Sequence, residues 1–191
     1  MDHNTTACLS GNVCLTNEFG PVTLLSSLYN DTQYWNGVEI PTNYSIDQST
    51  QTSGAKYTID YSNYKARIIT AWEIAQITGN LAWNEKNEDI MYFFDTHTTA
   101  ASNTCKSGNT SGCKYGWLYD RTSTSCTTYG CLNNSDQTTS GYWTATSSAK
   151  GKIYSWLVYY SAVISNSFGT AGTSDSYGVR PVIEVLKSKL S

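Results

Sequence analysis

The six cysteines constrain this chain most, because they fall as three close pairs: Cys8 with Cys14, Cys105 with Cys113, and Cys126 with Cys131. Each pair brackets turn-forming residues, such as Ser10-Gly11-Asn12 and Lys106-Ser107-Gly108-Asn109. Six cysteines allow many connectivities, and the short enclosed loops favour disulfides between nearest neighbours. Each such bridge would stabilise the fold by roughly 2–3 kcal/mol, mainly by restricting the unfolded chain. Metal ligation is the rival reading. The chain has no Cys-x-x-Cys, and only His3 and His97 could add imidazoles, so no metal is expected. Persisting disulfides imply an oxidising location, extracellular or at the cell surface.

The rest of the sequence agrees with that location. At 191 residues, the span 1–191 reads as one domain with a sizeable core. Only 14% of residues are charged while 13% are aromatic, a balance that suits a β-rich extracellular module with a polar, non-ionic surface. A net charge of −3 without clustered Lys and Arg argues against nucleic acid as a partner. No apolar run reaches about 20 residues, so no direct membrane contact is expected. Met1-Asp2-His3-Asn4 is not the start of a signal peptide, and an export or pilin-like N-terminal segment is therefore expected to be missing from this sequence.

Periodicity predicts two short helices and a set of strands. Pro21 followed by Val22, Leu25, Leu28 and Tyr29 predicts a helix over 21–29. A polar stretch over 43–53 precedes strands at 57–60 and 64–69. Thr70-Ala71-Trp72-Glu73 has the form of a capping box, Ile74 and Ile77 continue an apolar face, and Gly79 suits a left-handed stop, so a second helix is expected over 71–78. Residues 84–134 read as a loop-rich insertion pinned by disulfides, with Tyr115-Gly116-Trp117-Leu118-Tyr119 as its one apolar run. Strands are expected again at 142–146, 154–160 and 179–186, with Trp156, Val158 and Tyr160 sharing a face. The pattern is α+β with few helices and a mainly antiparallel sheet.

Catalytic chemistry is hard to assemble from these residues. With the cysteines paired and only two histidines present, Ser and Thr have no identifiable base. Glu85, Glu88, Asp89 and Asp95 cluster in sequence, but nothing sets the spacing or burial that paired carboxylates need for glycoside hydrolysis. Gly169-Thr170-Ala171-Gly172 lacks the Lys-Ser/Thr of a phosphate loop. Asn133-Asn134-Ser135-Asp136 is the best calcium candidate and reads more simply as a turn. No enzyme activity and no cofactor are expected. The stretch 161–177 is small and polar, as in antibody loops, and contains no Lys, Glu, Gln, Met or Trp. An ordinary hairpin with an irregular loop would look the same.

Three segments then point to a family. Gly141-Tyr142-Trp143-Thr144-Ala145-Thr146-Ser147, Trp156-x-Val158-Tyr159-Tyr160 and Tyr177-Gly178-Val179-Arg180-Pro181-Val182-Ile183 together resemble the C-terminal signature of C-type-lectin-fold variable proteins of diversity-generating retroelements. They are similar in particular to pilin-like surface proteins of gut Firmicutes. Tyr64 to Ala71 and the Trp117-Leu118-Tyr119-Asp120 run fit the same group, so the resemblance covers most of the chain.

The resemblance implies a C-type-lectin-like fold and a surface-displayed, adhesin-like domain. Its ligand would be a protein or glycan on another cell or in the environment. In such proteins, adenine-directed mutagenesis of asparagine-type codons produces residues like those of 161–177 and cannot reach Lys, Glu, Gln, Met or Trp. Lys150 and Lys152 depart from that pattern. The implied ligand contacts are Ile153, Ser155, Leu157, Ala162, Ile164, Asn166, Phe168, Thr170, Thr173 and Asp175, forming one exposed face. Trp143, Trp156 and Arg180 would be framework, with Arg180 substantially buried and hydrogen-bonded to carbonyls or a carboxylate. Calcium-dependent sugar binding is not implied, since neither Glu-Pro-Asn nor Gln-Pro-Asp occurs. The alternatives are a structural subunit of a pilus or surface layer with no dedicated ligand and, more remotely, an enzyme of the formylglycine-generating type. The latter uses paired active-site cysteines, whereas those here are spaced as local staples.

Overall fold

The computed structural model describes residues 22–36, 45–47, 58–83, 91–99, 105, 112–119, 141–148, 154–159, 162–166 and 178–185. In chain order they form α1 (Val22–Thr32), β1 (Ser45–Asp47), β2 (Thr58–Asp60), β3 (Arg67–Ile68), α2 (Ala71–Thr78), β4 (Tyr92–Phe93), α3 (Gly116–Tyr119), β5 (Gly141–Ser147), β6 (Ser155–Tyr159), β7 (Val163–Ser165) and β8 (Pro181–Val182). This is a mixed helix and antiparallel-sheet arrangement of the α+β class.

The helix α2 has the bounds its end signals predict. Thr70 is extended, its Oγ1 accepts from the Glu73 N–H at 3.0 Å, and its own N–H donates to Glu73 Oε2 at 2.9 Å, which completes the capping box. Gly79 takes a φ of 78° and lets the Asn80 N–H reach back to the Ala75 carbonyl at 3.0 Å, closing the last turn. Ala71, Ile74, Ala75 and Thr78 are its buried face. Glu73 has a second role beyond capping. With Glu184 it grips Arg67, at 2.7 Å to Nη2 and 2.8 Å to Nε respectively, and so ties the buried start of β3 to the residues just after β8.

The main sheet runs β4-β7-β6-β5, each neighbour antiparallel, and both of its faces are covered. Alternate residues enter opposite cores, as a period of two requires. Tyr142, Trp156, Val158 and Ile164 join Ile74 and Ala75 of α2 and Leu118 and Tyr119 of α3. Trp143, Ala145 and Leu157 join Leu24 and Leu28 of α1 together with Ile59, Tyr61 and Ile68. The ladder between β5 and β6 is regular from Gly141↔Tyr159 to Trp143↔Leu157, then slips by two residues before Ser147↔Ser155. At this bulge Thr144 Oγ1 donates to the Trp156 carbonyl at 2.8 Å, and the Ala145 N–H turns away to the Ile69 carbonyl at 2.9 Å. The Ala71 N–H then donates to Thr146 Oγ1 at 3.0 Å, so the start of α2 is docked on the irregular part of β5.

Several expectations shift when tertiary packing is present. The first helix runs to Thr32, whose hydroxyl donates to the Leu28 carbonyl at 2.7 Å. Of the strands expected at 64–69 and 179–186, only the two-residue pairing of Arg67↔Val182 and Ile68↔Pro181 forms among the described residues. Pro181 has no N–H to extend that ladder. The polar stretch 43–53 contains β1, paired to β2, and the expected loop region 84–134 contains β4 and the single turn α3. Cys105 and Cys113 are joined with a Cα–Cα distance of 5.7 Å. The other two expected pairs, Cys8 with Cys14 and Cys126 with Cys131, lie outside the described residues. Among the described residues no helix is long and apolar enough to cross a membrane.

Candidate functional site

Of the ten residues expected to make one exposed face, the five that are described are buried, and this corrects the sequence reading. Ser155, Leu157, Ile164 and Asn166 are fully buried and Ala162 is 1% exposed. The physical reason is the second core. A strand with one solvated face exposes every other residue, but β6 and β7 lie between two apolar layers, so neither parity reaches water. Leu157 packs with Trp143 and Ala145 on one side, and Ile164 with Trp156 and Val158 on the other. Ala162 is a turn residue at a φ of 63°, with its N–H on the Tyr159 carbonyl at 3.2 Å and its carbonyl taken by the Phe94 N–H at 2.9 Å. The remaining expected contacts, Ile153, Phe168, Thr170, Thr173 and Asp175, lie outside the described residues.

What the structure does fix is where the two remaining segments are held. The Ser148 N–H donates to the Tyr154 carbonyl at 3.1 Å, and Asn166 Nδ2 donates to Ser148 Oγ at 2.7 Å in a buried contact. Segments 149–153 and 167–177 therefore leave the same end of the sheet, with Ser148 bonded at the root of both. The return point of 167–177 is at the other end of β5. There the Gly178 N–H donates to the Gly141 carbonyl at 2.9 Å, and the Trp143 N–H donates to the Gly178 carbonyl at 3.1 Å.

Arg180 secures that return. Its Nη1 donates to the carbonyls of Trp117 at 2.9 Å and Leu118 at 2.8 Å, and the guanidinium sits 4.6 Å from the centre of the Tyr142 ring. The expected bonds to backbone carbonyls are present, while the residue is half-buried rather than substantially buried. Burial pushes the Tyr142 hydroxyl well above the ordinary tyrosine range, with the Arg180 charge pulling it partly back, so the ring under the guanidinium is a neutral phenol.

Chemically reactive groupings are few among the described residues. A carboxylate oxygen of Asp95 and the sulfurs of Cys105 and Cys113 lie within 4.8 Å of one another, but the two sulfurs are bonded to each other and so offer no thiolates. Glu85, Glu88 and Asp89, His3, and Asn133 to Asp136 lie outside the described residues. His97 Nε2 donates to the Thr78 carbonyl at 2.7 Å, which makes it a cap on α2. Thr78 Oγ1 also bonds the buried Tyr92 hydroxyl at 2.8 Å. Burial raises the Tyr92 pKa from 10.0 to about 12 against the pull of that bond. Its neutral form therefore favours the fold below pH 10.0, and this contribution is lost as the pH rises towards 12.

Sequence reasoning missed a group of exposed aromatics at the end of α1. Tyr29 is 42%, Tyr34 80% and Trp35 41% exposed. Adjacent aromatics beyond an amphipathic stretch, Tyr34-Trp35, were the available signal. No known protein family, no curated protein and no solved structure matches the chain.

Proposed function

We propose that this chain is a surface-displayed ligand-binding domain of C-type-lectin-like fold, akin to the variable proteins of diversity-generating retroelements. In this reading it is not an enzyme. The carrying observation is the anchoring of residues 167–177 at Asn166 and at Gly178, on opposite ends of one buried strand. A segment held at both ends by backbone and buried side-chain bonds can change its own side chains without disturbing what holds it. Its small and polar composition suits adaptable contact, and the packed strands that bear its two attachment points supply rigidity. Ligand contact is assigned to Phe168, Thr170, Thr173 and Asp175, with Ile153 from the neighbouring segment. The strand residues serve as support.

The test is natural variation in the coding sequence among independent isolates of the source. Substitutions concentrated at adenines in the codons of 153 and 167–177, with 154–159 and 162–166 constant and an imperfect repeat of the region beside a reverse-transcriptase gene, are the expected result. Substitutions spread evenly over the chain, with neither repeat nor reverse transcriptase nearby, would overturn it and favour a structural subunit of a pilus or surface layer.

A further inference from the structure

The turn after β4, Cys105 and the approach to α3 bring three metal-type donors together. A carboxylate oxygen of Asp95 and the sulfurs of Cys105 and Cys113 all lie within 4.8 Å of one another. Each residue is also held by backbone bonds or packing apart from the disulfide. Asp95 sits in a turn closed by the His97 N–H on the Phe93 carbonyl at 2.8 Å and by the Phe93 N–H on the Thr98 carbonyl at 3.0 Å. Cys105 is buried in the same core as Phe94 and Tyr115. Cys113 is half-buried against that core, and its carbonyl accepts the Gly116 N–H at 3.1 Å where α3 begins.

Among the described residues the exposed Asp95 carboxylate forms no hydrogen bond and no ion pair. Lys114 is a cation in its field, and its ammonium lies 5.0 Å from the centre of the Tyr115 ring rather than on the carboxylate. A disulfide offers a carboxylate neither a proton nor a charge, so Asp95 gains nothing from the oxidised pair.

Two thiolates and a carboxylate are a different donor set. Tetrahedral zinc takes sulfur at about 2.3 Å and carboxylate oxygen at about 2.0–2.2 Å, which puts its ligands about 3.6–3.8 Å apart. Asp95 need close by only about 1 Å to reach that spacing, and the sulfurs reach it by side-chain rotation across a Cα–Cα distance of 5.7 Å once their bond is broken. Calcium and magnesium take oxygen ligands and are excluded by the thiolates. Carboxylate oxygen suits zinc better than cuprous copper. We propose that Asp95, Cys105 and Cys113 form a redox-gated Zn²⁺ site, closed while the disulfide stands and opened by a dithiol reductant. A thiolate of the dithiol attacks one sulfur, its second thiol resolves the mixed disulfide, and the reductant leaves as its own disulfide. Each cysteine gains one electron and one proton. Zinc then takes the two thiolates and the Asp95 carboxylate, releases the two thiol protons to solvent and keeps water as its fourth ligand. The metal holds the same two chain positions as the disulfide, so the staple outlasts reduction.

The test must resolve single sites, because the chain has six cysteines. The intact chain is reduced with dithiothreitol, freed of it under anaerobic conditions, and alkylated with iodoacetamide with and without zinc chloride. The rate at each cysteine is read by peptide mass mapping. Zinc is expected to slow alkylation of Cys105 and Cys113 by about tenfold or more. Asp95→Asn removes one ligand's charge at an exposed position and should raise the zinc concentration for half-protection by about tenfold, while Asp31→Asn, an exposed carboxylate on α1, should leave it unchanged. Alkylation of Cys113 at the same rate with and without zinc would overturn the proposal. So would protection equally insensitive to both carboxylate changes, which is what the thiols of an unfolded chain would give.

Discussion

Residues 70–79 and the strands β6 and β7 are both short, both central and both well packed, yet they owe their structure to different kinds of information. In the first, each determinant is local. The hydroxyl of Thr70, the carboxylate of Glu73 and the φ of 78° at Gly79 act within one helix, and the apolar spacing of Ala71, Ile74 and Ala75 sets the face that is buried. In the second, the determinants come from far along the chain. Whether Ile164 and Leu157 face water depends on α1, α2 and α3 arriving on the two sides of the sheet. A strand of small and mixed residues reads the same whether it is an exposed binding face or the middle of a sandwich, and the second helix layer decides.

The comparison is broken most sharply at Gly141. A Cβ built there falls on the carbonyl oxygen of Val158, and the φ of 157° adds to the difficulty. No flexible side-chain end is available to yield, because the obstacle is backbone. Gly141→Ala is expected to cost about 4 kcal/mol or more, seen as loss of the cooperative melt or of soluble expression. A variant that melts like the parent would show that the close approach of β5 to β6 does not organise the sheet, and the long-range side of the comparison would fall.

Next in size are two of the five buried residues that the sequence placed at the surface. Leu157→Ala and Ile164→Ala should each destabilise by about 3 kcal/mol, as large-to-small changes in a packed core do, measured by denaturant midpoint at unchanged m. An effect below about 0.5 kcal/mol in either would return that strand to the surface.

A smaller change tests the local region. Thr70→Ala removes the acceptor for the Glu73 N–H at 3.0 Å and leaves the hydrophobic face of α2 intact, so about 1 kcal/mol is expected. Hydrogen exchange should accelerate at the first turn of α2 and leave β6 unchanged. Exchange rising equally in β6 would mean that the helix start, docked on Thr146 and Ala145, is coupled to the sheet rather than locally determined.

These magnitudes explain what the sequence could disclose. The helix α2 was legible to the residue because its start and stop are chemical events within ten positions. The strand β5 was legible because Tyr142 to Thr146 has the right residue types, although its bulge was not, since the slip depends on the Ile69 carbonyl competing for the Ala145 N–H. That Arg180 bonds backbone carbonyls was legible, but its half-buried setting and its acceptors on α3 were not. The short strands β1 and β4, three residues (Ser-Ile-Asp) and two (Tyr-Phe), are too short to show a period and are fixed by their partners. The expected binding face, which the family resemblance implied, failed at Ser155, Leu157, Ala162, Ile164 and Asn166.

The smallest expected effect lies in the part of that face which the correction does not reach. If residues 167–177 are a changeable surface held at Asn166 and Gly178, then Phe168→Ser, Thr170→Ala, Thr173→Ala and Asp175→Ala combined should alter stability by no more than about 1 kcal/mol. For a chain of this size that corresponds to a shift in Tm of roughly 2–4 °C. Exposed substitutions scatter in sign, so four of them need not accumulate. The informative control is Asn166→Ala, one residue upstream. It removes the buried bond to Ser148 Oγ at 2.7 Å, leaves a hydroxyl without that partner, and should cost more than the four changes together. A steep boundary between 166 and 168 is therefore the signature of scaffold meeting surface. If the fourfold variant instead melts as low as Ile164→Ala, the segment packs as β7 does, the boundary does not exist, and ligand recognition must be sought elsewhere on the molecule, first among the aromatics at the end of α1.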